Sequence, residues 1–185
     1  MNLRAGLLCV VLLIQCAVPG WMIFDQEQTL RHGVEYRFQT EPVDPYDFFR
    51  GRYVALRFKA ADLDLKGGPD IPWASTVYVA VKPNAEGFAE IERYSLTPIA
   101  GDNVFRAKAQ GGLGSKTVRL EFPFAKFFMD EKLAPEAEKA YREANRRNGG
   151  KPSWAVVRLR HGKAALVDLV IDGQPIREYL RTHSK

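Results

Sequence analysis

The residues best suited to hold a charged ligand are Arg50, Arg52 and Arg57, gathered with Tyr53 in the stretch DPYDFFRGRYVALRFK that runs from Asp44 to Lys59. Guanidinium forks match pairs of carboxylate or phosphate oxygens. The same stretch carries Asp44 and Asp47, two acids close enough together for acid-base work, although helix capping explains them at less cost. Asp44 precedes Pro45. Its side chain can accept from the free amides of a first helical turn, while the proline gives up a donor that has no partner there. Asp47 then completes a loose capping box, Arg50 can pair with Asp47, and Gly51 stops the turn. In that case Arg52 and Arg57 are simply solvated.

Elsewhere the reactive side chains are scattered. The three histidines, His32, His161 and His183, fall in a connector, a turn and the tail, without the ligand spacing of a zinc site. Ser75, Ser95, Ser115, Ser153 and Ser184 stand in neither a G-x-S-x-G elbow nor an S-x-x-K pair. Asp62, Asp64 and Asp70 invite a calcium reading, but the loop lacks the EF-hand spacing and its closing glutamate. GGLGSKT has the wrong spacing for a phosphate loop and feeds a strand rather than a helix. The expectation is therefore no metal, no cofactor and no catalytic residue, and these absences weigh against an enzyme without closing the case. The formal charge of +5 is spread among interleaved acids, so nucleic acid is not an expected partner.

These residues sit in a chain whose apolar pattern is mainly that of strands. Val54, Leu56 and Phe58 alternate with Tyr53, Ala55, Arg57 and Lys59, which predicts one strand with a buried face. Val34, Tyr36 and Phe38 alternate in the same way. Strands are predicted over 76–81 and 88–96, joined by a hairpin loop at 82–87, and a weaker pair over 104–107 and 117–122. Further strands are expected over 154–159, 164–171 and 176–180, with turns at His161-Gly162 and Asp172-Gly173. The segment 61–73, rich in Gly, Pro and Asp, reads as a loop. Phe122 to Met129 holds four phenylalanines, which suit a core, a strand edge or a contact surface. One helix is expected over 135–147, with a thin apolar side, resting lightly on the sheet or lying at an edge. The fold class is thus mainly β within an α+β frame, a barrel- or sandwich-like antiparallel domain.

Ala5 to Phe24 is twenty residues without a charge, enough at ~1.5 Å per residue to cross the ~30 Å core of a bilayer. Arg4 precedes it and Asp25 and Glu27 follow, which orients the rest of the chain outside the cytoplasm. Trp21 suits the far interface. Two alternatives stay open: cleavage after Val18-Pro19-Gly20, as in a secretory signal, and lipidation at Cys16. All three place the remainder on one side. Both cysteines, Cys9 and Cys16, lie in this segment, so the exported part has no disulfide. The expected organisation is an anchor over 1–24, a connector over 25–33 that can prolong the helix to Gly33, and an exported domain over 34–185.

Gly51, Tyr53, Leu56 and Phe58 also fall at the spacing of the signature that names the GDYXXLXY family. The chain resembles that family, whose members are small bacterial proteins of unknown function and are usually predicted to be membrane-anchored. Arg52 stands where the signature has Asp, and Phe58 where it has Tyr. The resemblance implies a single-pass protein of the bacterial inner membrane with its C-terminal domain in the periplasm. It also implies association with a multi-spanning membrane protein. Two functions are carried forward: a tethered, non-catalytic envelope interaction module attached to the bilayer through residues 5–24, and a ligand-binding or hydrolytic domain acting on an anionic envelope component. The candidate binding residues are Asp44, Asp47, Arg50, Gly51, Arg52, Tyr53, Leu56, Arg57 and Phe58.

Overall fold

The computed structural model describes residues 3–42, 53–65, 71–110, 117–146 and 150–183, with the side chains of 3–6 and 9 left aside. The expected helical turn from Asp44 to Arg50, the residues Gly51 and Arg52, and the loop at 111–116 lie outside the described residues.

Helix α1 (Leu3–His32) leads without interruption into strand β1 (Val34–Glu41). The connector over 25–33 is therefore helical almost to its end. Two short strands follow, β2 (Tyr53–Ala55) and β3 (Arg57–Phe58), then a 3-10 turn over Lys59–Ala61 and β4 (Asp62–Asp64). The central run is β5 (Thr76–Pro83), β6 (Ala89–Ser95), β7 (Val104–Gln110), β8 (Thr117–Glu121) and β9 (Lys126–Phe128). Helix α2 (Ala134–Ala144) leads on to β10 (Ser153–Arg160), β11 (Lys163–Ile171), β12 (Gln174–Pro175) and α3 (Ile176–His183).

The strands form a sheet in the order β12-β11-β10-β1-β3, a second in the order β4-β8-β7-β5-β6, and the pair β2-β9. Every ladder is antiparallel. Isolated parallel bridges, Arg37 to Phe88 and Phe105 to Gly162, join the two larger sheets. The result is a nearly closed antiparallel barrel.

Two of the turns follow directly from residue type. His161 (φ 48°) and Gly162 (φ 79°) connect β10 to β11, and Asp172 (φ 54°) and Gly173 (φ 77°) connect β11 to β12. Consecutive left-handed residues suit the right-handed twist of a tight hairpin, and glycine takes the second place without strain.

Three expectations are corrected. The strand predicted from Tyr53 to Lys59 is split, because β2 pairs with β9 while β3 pairs with β1. Leu56 is the step between them, its N–H donating to the Ala125 carbonyl at 2.8 Å. The loop predicted over 61–73 contains β4, which pairs with β8. The strand predicted over 176–180 is helical, with Ile176 and Leu180 buried on one side and Tyr179 packed against the core; that is the spacing of a helix, and three apolar residues were too few to separate the two periods.

The barrel interior is filled by aromatic rings. Phe38 on β1 meets Phe58, Phe105, Phe122 and Phe124 with centroid separations of 5.9, 6.0, 5.9 and 4.9 Å. Most of these contacts are edge-on or tilted, the arrangement favoured by the ring quadrupole. Of the phenylalanine-rich run, Phe122, Phe124 and Phe127 are buried and Phe128 is exposed.

Helix α1 has two surroundings. Leu7, Leu8 and every residue from Val10 to Phe24 are exposed. Its last two turns dock on the β10-β11 hairpin. Lys163 pairs with Asp25, Arg158 donates to the Leu30 carbonyl, and Thr29 is buried. Gly33 makes the closing turn possible, since a Cβ there would meet the Thr29 carbonyl oxygen at 2.5 Å and the Arg158 Cβ at 2.9 Å. Among the described residues no helix is long and apolar enough to cross a membrane. The expected span over 5–24 includes residues 5, 6 and 9, whose side chains are outside that set.

Replacing Phe38 by Ala is expected to lower the unfolding free energy by about 3–5 kcal/mol, because the ring is wholly buried and its neighbours are large. Urea titration in detergent measures this. A loss below about 1 kcal/mol would show that the four remaining rings close the gap.

Candidate functional site

The described part of the signature contributes to two different places. Phe58 points inward, 2% exposed, and stacks on Phe122 at 5.4 Å. Leu56 is buried beside it and, through its N–H, holds the turn between β8 and β9. Tyr53 faces outward. Its ring meets Phe128 at 5.5 Å and carries the Lys126 ammonium 5.3 Å above its centre, a cation-π contact. The hydroxyl that the signature's last position would carry is absent at Phe58, which suits a site surrounded by aromatic carbon.

Tyr53, Leu56, Arg57, Arg119, Glu121 and Lys126 are among the residues lining a cleft of about 410 Å³ beneath the β8-β9 turn. Tyr53 and Arg57 of the expected cluster thus share one cavity. Their expected companions Asp44, Asp47, Arg50, Gly51 and Arg52 lie outside the described residues.

The arginines of this cleft are engaged by acids. Arg119 makes a two-pronged contact with Asp62, Nε to Oδ1 at 2.7 Å and Nη2 to Oδ2 at 3.2 Å. Arg57 reaches Glu41 at 3.8 Å and Asp62 at 4.0 Å. Glu41, Arg57, Asp62 and Arg119 therefore alternate in sign along one row. The hydrogen bond from Arg119 holds the Asp62 carboxyl below its usual pKa, against the opposing effect of burial. Asp62 is bound to arginine, Asp64 stands exposed two residues on, and Asp70 lies outside the described residues. Among the described residues no group of three His, Cys, Asp or Glu is placed to hold a metal ion.

Behind the cleft lies a buried polar group that the sequence reading did not single out. Tyr141, on α2 and 1% exposed, donates its hydroxyl proton to the Glu41 carbonyl at 3.0 Å and accepts from the Arg57 N–H at 3.3 Å. It ties the helix to the point where β1 meets β3. The helix does not rest lightly: Ala134, Ala137, Ala140, Tyr141 and Ala144 are all buried. Small residues allow close approach, and a single tyrosine supplies the polar link. At the helix end Asn145 donates to the Tyr141 carbonyl at 2.9 Å. Next to it Thr40 donates to the Ser153 carbonyl at 3.0 Å, and the two hydroxyls stand 2.6 Å apart.

Ser75, Ser95, His161 and His183 have local partners. Ser75 donates to the Pro72 carbonyl, and Ser95 meets Thr97. His161 is exposed but paired with Asp102 at 2.8 Å, and His183 stacks on Tyr179 at 4.1 Å. Ser115 and Ser184 lie outside the described residues.

Fold and cleft together define a small antiparallel β-barrel domain with an apolar helical extension and a cleft of paired charges built around a short aromatic signature. The family model described as GDYXXLXY protein matches residues 15–169. The chain belongs to that family. No curated protein and no solved structure matches it.

Burial pushes the Tyr141 hydroxyl up from 10.0 to about 12, with the hydrogen bond from the Arg57 N–H and the neighbouring Thr40 hydroxyl opposing. A raised folded-state value means that the associated stability is complete below pH 10 and is lost as pH rises from there through about 12. Tyr141→Phe is expected to cost about 1–3 kcal/mol, since it leaves the half-buried Glu41 carbonyl and Arg57 amide without their shared partner. The variant should also show a shallower loss of stability above pH 10 than the parent. Parallel pH curves for the two proteins in chemical denaturation would refute the assignment.

Proposed function

We propose that this chain is a membrane-tethered, non-catalytic interaction module of the bacterial envelope. On this reading α1 lies in the inner membrane, the domain from Val34 onward stands in the periplasm, and its partner is another integral membrane protein. The observation that supports it is the uncharged, mainly apolar run of α1, whose side chains at Leu7, Leu8 and from Val10 to Phe24 are uncovered. A helix that is apolar on all sides is suited to a non-aqueous surrounding. The polar turns beyond it are docked on the barrel instead. Arg4 before the apolar run and Asp25 and Glu27 after it favour the stated orientation.

The junction adds a mechanical consequence. Lys163 with Asp25, Arg158 with the Leu30 carbonyl, and the close approach at Gly33 leave no free linker between helix and barrel. A partner lying beside α1 in the bilayer would meet the barrel at a fixed height and rotation. Such a module suits recognition of one neighbour better than a search over a wide radius.

A second reading, binding of an anionic envelope component, is favoured by the common cleft of Tyr53 and Arg57.

The tether is tested by flotation of native membranes followed by crosslinking and mass spectrometry. The full chain is expected to float and to yield crosslinks from the barrel to a specific integral membrane protein. Removal of residues 1–24 should release the domain to the soluble fraction. A full chain that stays soluble, or one that floats but reproducibly recovers no specific partner, would overturn the reading.

A further inference from the structure

Beside the cleft of paired arginines lies a second trough of about 370 Å³, separated from it by the β8-β9 turn. Its cations are Arg106 and Lys108 on β7 and Lys126 on β9. All three are exposed. None of them forms an ion pair among the described residues, and the Lys126 ammonium has only its contact over the Tyr53 ring. The acid lining the trough is Glu121, which lies opposite Lys108 in the ladder. One of its oxygens instead accepts from Gln110 Nε2 at 3.0 Å.

The contrast with the neighbouring cleft is chemical. There each guanidinium already faces a carboxylate; here three cations and one carboxylate leave two net positive charges. Arg106 and Lys108 stand on the same face two residues apart, about 7 Å along the strand. Like charges this close on one face repel. A bound anion would relieve that repulsion. A phosphate monoester carries about −1.5 to −2 at neutral pH and presents three acceptor oxygens, which matches the local charge and the three donors. Pro123 and Ala125 give the trough an apolar wall for the carbon part of such a ligand.

We propose that this trough binds a phosphate monoester, with its phosphate oxygens between Arg106, Lys108 and Lys126. The inference rests on the anionic-ligand reading and relocates it from Arg57 to the unpaired cations next door. The signature takes part indirectly: the Leu56 N–H holds the Ala125 carbonyl, and Tyr53 lies under Lys126, so both place the turn that bears the third cation. The phosphate can belong to a lipid headgroup or to a soluble molecule; the recognition chemistry is shared.

The test uses the full chain in phosphatidylcholine nanodiscs, titrated calorimetrically with glycerol 1-phosphate, inorganic phosphate and uncharged glycerol. A second arm measures recruitment of vesicles with and without phosphatidic acid. Glycerol 1-phosphate is expected to bind and glycerol not to. Lys108→Gln and Lys126→Gln should each weaken binding about tenfold, the scale of one charge-assisted hydrogen bond, and Arg57→Gln should not. Heat from the soluble ester assigns a soluble source, and recruitment to phosphatidic acid vesicles alone assigns a lipid headgroup; either supports the site. Binding unchanged in the Lys108→Gln, Lys126→Gln double variant would place the anion elsewhere and overturn this site while sparing the broader reading. No preference for any phosphate probe over glycerol, in either arm, would overturn both.

Discussion

The packing of five phenylalanines inside the barrel is the constraint on which the rest of the structure depends. Phe38 comes from β1, Phe105 from β7, Phe58 from β3, and Phe122 and Phe124 from the turn after β8. They therefore join both large sheets and the turn that bounds the cleft. The two large sheets are bridged to one another among the described residues only by two isolated bridges. Backbone hydrogen bonding across the seams is thus sparse, and side-chain burial must hold the sheets together. Each favourable ring pair adds about 0.5–1.5 kcal/mol beyond its area. Both cysteines lie in the N-terminal helix segment, so the domain has no disulfide to share this load.

The signature draws its meaning from that core. Tyr53, Leu56 and Phe58 fit one alternating pattern, yet the backbone changes partner at Leu56. A short chain segment can thereby serve two sheets: Phe58 is committed to the interior, Leu56 holds the β8-β9 turn, and Tyr53 stays at the surface beneath a lysine. Arg57, between them, belongs to an ion-paired row whose backbone N–H is caught by Tyr141. The stretch is architectural first, and its outer residues set the shape of the cleft.

Much of the barrel was legible in the sequence because its signals are local. The alternation through Phe38, the β5-β6 hairpin, and the left-handed pairs His161-Gly162 and Asp172-Gly173 depend on a few adjacent residues. What escaped the reading is set by distant partners. Nothing local says that Ala55 will pair with Lys126 while Arg57 pairs with Glu41. Nor does the spacing of Asp62 reveal that Arg119 lies opposite it. The burial of Tyr141 was hidden by the small residues around it: alanines look like a weak apolar face, but they are what lets a helix come close enough for its hydroxyl to reach two backbone groups. The strand assigned to Ile176–Leu180 failed for a different reason, since so short a segment satisfies more than one period.

Register also decides which charges remain available. On β8, Arg119 faces Asp62 of the edge strand β4, and Glu121 faces Lys108. On the other side of β7, however, Lys108 and Arg106 are met by Thr76 and Tyr78 of β5, neither of which carries a charge. A shift of one residue in that pairing would turn these side chains to the opposite face of the sheet. These two basic groups therefore differ through topology, not composition: Arg57 and Arg119 meet acids from β1 and β4, whereas β5 brings no acid to Arg106 and Lys108. Composition counts all of these arginines and lysines alike, and only the strand order separates the cations that pair with acids from those that, among the described residues, form no ion pair.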